Sequence, residues 1–318
     1  MRLLLNNKAR LMKRFKIKDL GDIKQVLGIR VSRDRSQHTL KLDQEQYLSR
    51  VLRQYGFTEC RTEPTPEASS KQQGPAQLLR SGPRDEELEQ LHPQVTASNF
   101  SSVVGALLYA ANSTRPDIAH AVNMLTRVVA QPTAQSLLAL KRVLRYIAGT
   151  LSHGLTYSAD GIQPLRLQAY SDADWAGDAS DARSTSGVLF MLANAAVQWV
   201  SQKQSNVACS SSEAEYIAAS EAARENYHLR VLLADIGAAQ PESTLLHIDN
   251  QTAMRMALEE GNRGRRKHIN VRHHYLREQV AEGYLELQWI PTASQPADVL
   301  TKPVDRATFF KHQAFIMN

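Results

Sequence analysis

The chain has 318 residues, of which 38 are basic and 32 acidic, giving a formal net charge of +6 at pH 7. This length predicts about two domains, and the mild positive charge permits a polyanionic partner without requiring one. Because the chain has only two cysteines, no secretory cleavage pattern and no apolar run near the ~18 residues of a membrane span, we expect a cytoplasmic or nuclear protein that is not built on disulfides and contacts no membrane.

The first segment, residues 1–66, is predicted to be an α/β unit. An amphipathic helix ends near Phe15, and a strand over 26–31 pairs with a strand over 39–42 across a polar turn. Asp43 can then cap a helix.

A linker is predicted over residues 67–94, where proline, glycine and polar residues predominate. The next segment, 95–160, is predicted to be helical, with helices over 99–111, 116–129 and 134–148. The third of these helices carries basic side chains that form a solvated face or, alternatively, contact phosphate: Lys141, Arg142 and Arg145.

Residues 161–318 form the second predicted domain. Apolar and polar residues alternate over 165–170, which is the pattern of a half-buried strand. Two further strands are joined by a hairpin turn at Ala193-Asn194, and helices and strands then alternate in the order β-β-β-α-β-α-α-β-α. The predicted strands cover 165–172, 187–192, 196–201, 245–249 and 284–290. This order predicts an α/β fold with a five-stranded mixed sheet and helices on its faces.

Four acids sit where predicted strands end or helices begin. Asp172 ends the first strand of the second domain, and Glu215 lies in the first turn of the long helix after the hairpin. Asp249 ends the fourth strand, and Asp298 begins the last helix. Since such ends can share one edge of a sheet, we expect the four carboxylates to lie within roughly 4–8 Å of one another. Carboxylates without cysteine favour a hard cation, so the expected cofactor is a pair of Mg²⁺ ions, with Mn²⁺ as the alternative.

Each acid also has a simpler structural explanation. Glu215 follows Ser212 in the spacing of a helix capping box. Asp249 and Asp298 can be acids that stabilise the start of a helix. Three further acids are expected to be solvated turn residues: Asp174, Asp178 and Asp181. The specific indication of a metal site is therefore the placement of the four acids together on this order of elements.

A dense basic run separates two predicted helices of the second domain. It contains Arg263, Arg265, Arg266, Lys267 and His268. We expect these side chains to bind nucleic acid through phosphate contacts, with a solvated loop as an equal alternative for His268.

These motifs resemble those of a known family. The second domain is similar to the ribonuclease H domain of copia-type retrotransposon Pol polyproteins through YSDADWAGD, SSSEAEYIAASEA, LHIDNQTAM and IPTASQPADVLTKP. The helical segment is similar through VVGALLYAANSTRPDIAHAVNMLTR, and residues 1–66 resemble the end of the family's reverse transcriptase through KIKDLGDIKQVLGIRV. The resemblance covers nearly the whole chain apart from 67–94.

The resemblance implies an enzyme and assigns its site. It places the catalytic groups and metal ligands of a ribonuclease H, with two Mg²⁺ ions, on Asp172, Glu215, Asp249 and Asp298. The implied reaction is endonucleolytic hydrolysis of the RNA strand of an RNA–DNA hybrid. The implied partners are that hybrid and the missing reverse transcriptase core or a second polyprotein copy.

The resemblance also implies the nature of each segment. Residues 1–66 are expected to be the end of a reverse transcriptase palm and thumb, 95–160 a helical thumb and connection, and 161–318 the ribonuclease H domain of a 5′-truncated polyprotein. The polymerase motif Tyr-X-Asp-Asp is absent, so no polymerase activity is expected. Asn270 stands where the family has an acid, outside the four ligands. A non-catalytic nucleic-acid-binding fragment and an inert retrotransposon relic are therefore the alternatives to the enzyme.

Overall fold

A computed structural model describes residues 2–68, 93–159, 165–178, 180–258 and 270–318. Most of the predicted linker and the whole basic run at 263–268 lie outside these residues. The strands are β1 (Gln25–Val26), β2 (Ile29–Asp34), β3 (Thr39–Asp43), β4 (Gly154–Ser158), β5 (Gln168–Asp174), β6 (Thr185–Leu192), β7 (Ala195–Lys203), β8 (Thr244–Ile248) and β9 (Leu285–Trp289). The α-helices are α1 (Arg2–Arg14), α2 (Glu45–Gln54), α3 (Phe100–Ala111), α4 (Ala119–Thr126), α5 (Ala134–Gly149), α6 (Ser211–Asp235), α7 (Gln251–Leu258), α8 (Asn270–Ala281) and α9 (Arg306–Met317). Short 3₁₀ helices cover Pro116–Ile118, Thr292–Ser294 and Pro296–Leu300.

The first sheet has the order β1-β2-β3-β4, and each pair is antiparallel. The prediction of one strand over 26–31 is wrong, because Leu27 and Gly28 adopt φ values of 50° and 77°. Val26 pairs with Ile29 across this two-residue turn, so the segment is a hairpin. Strand β4, which the sequence analysis did not predict, pairs with β3 and brings the end of the helical segment into the same sheet.

The second sheet has the order β7-β6-β5-β8-β9. The pairs β5–β6 and β6–β7 are antiparallel, whereas β5–β8 and β8–β9 are parallel. The five-stranded mixed sheet predicted from the sequence is therefore confirmed, including the turn at Ala193-Asn194, where φ is 52° and 66°. Since β5 and β8 run parallel, their carboxyl ends meet at one edge of the sheet.

The two faces of the second sheet pack against different helices. Leu189 belongs to a core cluster with residues of α3, α4, α5 and α9, such as Phe309. Val188, the next residue on β6, belongs to a cluster on the other face with α6 and α8, including Tyr216. The helical segment and the second sheet thus share one core, and the domain boundaries given above stay a prediction.

A buried polar network attaches α9 to the helical segment. Arg115 forms a two-pronged ion pair with Asp117, with nitrogen–oxygen distances of 2.9 and 2.8 Å. The hydroxyl of Tyr146 donates to the same carboxylate at 2.6 Å, and the Gln313 amide of α9 donates to it at 3.3 Å. Helix α9 is absent from the predicted elements, which ended with a helix at residue 297. The network therefore fixes α9, which follows the 3₁₀ helix Pro296–Leu300 in the chain, against the helical segment.

None of the helices in the described part of the chain is both long enough and apolar enough to cross a membrane.

Candidate active site

Three of the four predicted acids meet at one edge of the second sheet. Asp172 on β5, Glu215 in the first turns of α6 and Asp249 just after β8 each place a carboxylate oxygen within 4.8 Å of the other two. The parallel ends of β5 and β8 and the start of α6 bring them together. Asp172 and Glu215 are buried, with 2% and 6% of their surfaces exposed. The expected convergence holds for these three residues.

The fourth acid, Asp298, lies beside this group and is not part of it. It belongs to the 3₁₀ helix Pro296–Leu300, where the sequence predicted an α-helix. Lys302 joins it to the others, with Nζ at 2.8 Å from the Asp298 carboxylate and 3.8 Å from that of Asp172. Thr301 donates a 2.5 Å hydrogen bond to Asp172. Thr301 and Lys302 are not among the site residues predicted from the sequence, although a cation four residues after an acid is a usable sequence signal.

The three acids carry more negative charge than their surroundings neutralise. Burial raises the pKa of Asp172 to about 6, with Lys302 opposing the rise and Asp298 adding to it. Burial, together with the charges of Asp172 and Asp249, raises the pKa of Glu215 to about 10. The pKa of Asp249 is also raised, chiefly by burial. Lys302 therefore compensates only part of the negative charge when all three carboxylates are ionised.

The donor set fits a hard divalent cation. All the ligand atoms offered are carboxylate oxygens, which Mg²⁺ and Mn²⁺ prefer. The Oε2 atom of Glu215 is buried and accepts no hydrogen bond from the described residues. A buried carboxylate oxygen without a donor is costly, and a bound cation would offset that cost.

The capping explanation of Glu215 is wrong. Helix α6 is capped by Ser210, whose hydroxyl accepts from the backbone N–H of Glu213. The Glu213 carboxylate in turn accepts from the N–H of Cys209 at 2.9 Å. Asn250 performs the same task for α7 by accepting from Ala253. The side chains of Glu215 and Asp249 are therefore not used as helix caps.

One acid in the loop after β5 is buried, although the sequence indicated that it is solvated. Asp178, expected to be solvated, is 2% exposed and accepts a hydrogen bond from Lys203. Burial alone would raise the pKa of Asp178, but the hydrogen bonds from Lys203 and Ser180 outweigh it and lower the pKa. Asp181 is exposed, and Asp174 is partly buried. The Asp178 interpretation was wrong because its partner lies on β7, 25 residues away.

The structure describes some of the basic residues that were predicted to contact phosphate, and others lie outside the described residues. On α5, Lys141 is buried, and Arg142 lies 3.1 Å from Glu63, so this side of the helix is neither a solvated face nor open to phosphate. The basic run Arg263, Arg265, Arg266, Lys267 and His268 lies outside the described residues, so its role stays a prediction.

Gly187 on β6 lacks a side chain, and this allows the 3₁₀ helix Pro296–Leu300 to lie close to the sheet. Gly187 pairs with Asp172 on the neighbouring strand, and a Cβ atom there would lie 2.6 Å from a Thr301 methyl and 2.9 Å from the Ala297 carbonyl oxygen. We expect Gly187→Ala to push Pro296–Leu300 outward and lower the melting temperature by several degrees, since overpacking costs about 1–3 kcal/mol. Gly105→Ala, on α3 with no atom within 4 Å of the new Cβ, is the matched control. Equal melting temperatures for the two variants would contradict this.

Comparisons with known proteins identify relatives along nearly the whole chain. The reverse transcriptase (RNA-dependent DNA polymerase) family matches residues 1–69. The retrovirus-related Pol polyprotein from transposon TNT 1-94 of Nicotiana tabacum is 37% identical over 96% of this chain, and that from transposon RE1 of Arabidopsis thaliana is 36% identical over 96%. The aligned region is 22% and 20% of those polyproteins, so the chain spans about a fifth of their length.

The comparison with solved structures includes a ribonuclease. The ribonuclease H1 LC11, isolated from compost by a metagenomic approach, aligns with 45% of this chain and 97% of its own length, at 17% identity and a TM-score of 0.33. The family assignment rests on the polyprotein relatives, whose identity extends through both the helical segment and the acid-bearing sheet. The chain belongs to the copia-type family of retrotransposon Pol polyproteins.

Proposed function

We propose that this chain is a ribonuclease H that hydrolyses the RNA strand of RNA–DNA hybrids endonucleolytically and requires Mg²⁺ or Mn²⁺. The observation that carries the proposal is the group of three carboxylates within 4.8 Å, two of them buried and the third partly buried. One oxygen of Glu215 in this group is buried and has no hydrogen-bond donor among the described residues. Such a group binds divalent cations, and the sheet edge that carries it lies in a chain related to retrotransposon Pol polyproteins.

In this proposal, carboxylate side chains of the chain hold the metal ions, and a neighbouring hydroxyl positions one of these carboxylates. Asp172, Glu215 and Asp249 would be the metal ligands. Asp298 is proposed as a fourth ligand, because Lys302 lies 2.8 Å from its carboxylate and 3.8 Å from that of Asp172. Bound divalent ions supply an activated water and charge neutralisation at the leaving oxygen of a phosphodiester. Thr301 fixes one oxygen of Asp172 by its hydrogen bond, which orients the other oxygen toward the ligand position.

Lys302 has a separate part in the proposal. Burial alone would lower the pKa of Lys302, but the charges of Asp172 and Asp298 outweigh it and raise that pKa, so this side chain remains a cation near neutral pH. It offsets part of the negative charge that would otherwise repel an incoming phosphate. We propose that the preferred substrate is a hybrid because only RNA carries the 2′-hydroxyl that a protein can use to tell the two strands apart.

The test is a cleavage assay with end-labelled duplexes. Purified chain is incubated with an RNA–DNA hybrid, an RNA duplex and a DNA duplex of the same sequence, each with Mg²⁺ or with EDTA. We expect internal cuts in the RNA strand of the hybrid when Mg²⁺ is present and no cuts in EDTA. Binding of the hybrid without cleavage would support the non-catalytic alternative, and neither binding nor cleavage would support the relic.

The basic run is proposed to supply affinity and no chemistry. Replacing Arg265, Arg266 and Lys267 by alanine removes three cations from the part of the sequence between α7 and α8. We expect weaker hybrid binding and a shallower plot of log affinity against log salt, by up to about one unit for each lost phosphate contact. The matched control replaces three exposed cations in or just after α1: Arg10, Lys13 and Lys16. If log affinity falls with log salt equally steeply for the parent and for the variant with three alanines, this role is refuted.

The partners are proposals as well. Beyond the hybrid, we propose that this chain acts with a reverse transcriptase core or with a second copy of the polyprotein, since it matches about a fifth of its relatives' length.

A further inference from the structure

Two half-exposed tryptophans border the acid group. Trp175 is the first residue after β5, three positions beyond Asp172, and 50% of its surface is exposed. Trp289 is the last residue of β9, which lies next to β8, and β8 ends just before Asp249. Trp289 is 46% exposed. Neither ring belongs to a hydrophobic cluster of the described residues. Aromatic rings exposed in this way can stack against the bases of a nucleic acid.

Both rings are fixed in place by their polar edge. The indole N–H of Trp175 donates to the carbonyl oxygen of Ala208 at 3.0 Å, in the loop that leads into α6 and Glu215. The indole N–H of Trp289 donates to the carbonyl oxygen of Asp249 itself at 3.1 Å. The only polar atom of each ring is thus bonded to the main chain, at Asp249 for Trp289 and in the loop before α6 for Trp175. The rings therefore present apolar area to solvent in a set orientation.

The third tryptophan of the chain has a different environment. Trp199 on β7 donates to the carbonyl oxygen of Ala111 at 2.7 Å and packs against the core cluster of the helical segment. It is therefore an internal reference, because it shares the indole chemistry of Trp175 and Trp289 and is not tied to the main chain beside the acids.

Because the site is negatively charged, uncharged aromatic rings are suitable contacts for nucleic acid beside it. The group of Asp172, Glu215 and Asp249 repels the phosphates of any nucleic acid that approaches before metal is bound. An aromatic ring attracts sugars and bases through contact area and adds no charge. Packing a nucleotide on an aromatic ring contributes roughly 1–3 kcal/mol in other nucleic-acid-binding proteins.

We propose that Trp175 and Trp289 are substrate-positioning platforms, against which the sugar and base faces of nucleotides on either side of the scissile phosphate pack. This inference rests on the proposed nuclease function of the same site. It goes further by naming the nucleotide contacts that set where the strand lies over the acids. The two tryptophans are positioning residues, and their loss affects substrate affinity more than the chemical step.

Intrinsic tryptophan fluorescence tests the platforms directly. The chain has three tryptophans, so hybrid is titrated into the Asp172→Asn variant, which keeps the duplex uncut, and into the same variant carrying Trp175→Phe, Trp289→Phe or Trp199→Phe. We expect hybrid to change the emission, with each of the first two replacements removing part of that change and Trp199→Phe leaving it intact. A change that disappears only with Trp199→Phe would overturn the proposal.

Steady-state kinetics provide a second readout on the otherwise unchanged chain. Trp175→Ala and Trp289→Ala are each expected to raise KM about tenfold with kcat within about twofold, whereas the phenylalanine variants keep a ring and most of the affinity. A fall in kcat at unchanged KM would overturn the positioning role.

The two experiments separate this inference from the proposed function. Cleavage that proceeds without any emission change from Trp175 or Trp289 overturns the platforms alone. An emission change on hybrid binding that depends on both tryptophans, in a parent chain that never cleaves, overturns the nuclease and keeps the platforms. A parent chain that neither binds nor cleaves hybrid overturns both.

Discussion

Asp172→Asn is expected to abolish cleavage of RNA–DNA hybrid while leaving the fold intact. Asparagine has nearly the same shape, and Thr301 can still donate to its amide oxygen, so the end of β5 should pack as before. The substitution removes the charge at the centre of the group, where Glu215 and Asp249 meet Asp172. We expect a loss of rate on the order of 10⁴-fold, as is typical when a group that acts as part of a catalytic unit is removed.

The measurement is a cleavage rate with matched circular dichroism spectra and melting temperatures. The control is Asp181→Asn, an exposed acid on the loop after β5 whose partners are Lys203 and Arg183. It is expected to cleave within about twofold of the parent, because exposed ion pairs contribute little. A properly folded Asp172→Asn chain that cuts at the parent rate would show that the metal-ligand assignment is wrong.

Glu215→Gln is expected to stabilise the protein when no metal is present. The pKa of Glu215 is held at about 10 and that of Asp172 at about 6, both above the ordinary carboxyl values. Between the ordinary and the raised values, the folded chain binds more protons than the unfolded chain, so the free energy of unfolding falls as pH rises through this window. In EDTA the melting temperature of the parent should therefore fall between about pH 5 and about pH 9.

The Glu215→Gln substitution and bound Mg²⁺ should each reduce the loss of stability at high pH. Glutamine at position 215 cannot ionise, so the fall with pH should become smaller, and the melting temperature at high pH should exceed that of the parent. Mg²⁺ should raise the parent's melting temperature most at high pH and should have little effect on Glu215→Gln. The control is Glu213→Gln in the same helical turn, whose side chain serves Cys209 and not the site. A parent whose stability is independent of both pH and Mg²⁺ would contradict the account of the acids.

The sequence was most informative where local pattern and tertiary contact agree. The strands of the second sheet were predictable because residues 165–170 alternate and the turn at Ala193-Asn194 joins strands that are adjacent in the chain. Asp172 and Asp249 were predictable because parallel strands leave their carboxyl ends at a common edge. Residue type and element order were enough for these acids.

The remaining features depend on contacts between distant parts of the chain. Strand β4 forms only because β3 lies beside it, more than 100 residues earlier. The burial of Asp178 requires Lys203, and the position of Asp298 requires Lys302 and a glycine on β6. The turn at Leu27-Gly28 was missed because leucine rarely adopts positive φ, so an apolar run concealed it. Apart from Lys302, which lies four residues after Asp298, these features carry no clear local signature.

Metal-specific rescue of a modified substrate tests the central claim most directly. In the modified hybrid, one non-bridging oxygen of the scissile phosphate in the RNA strand is replaced by sulfur, a soft atom that Mg²⁺ binds poorly and Mn²⁺ tolerates better. The account predicts that the parent chain cuts the all-oxygen hybrid with either ion, and cuts the sulfur-containing hybrid slowly with Mg²⁺ and much faster with Mn²⁺. Equal cleavage of the sulfur-containing hybrid with both ions, cleavage in EDTA, or no cleavage of the all-oxygen hybrid with either ion would contradict the claim that these carboxylates hold metal on the scissile phosphate.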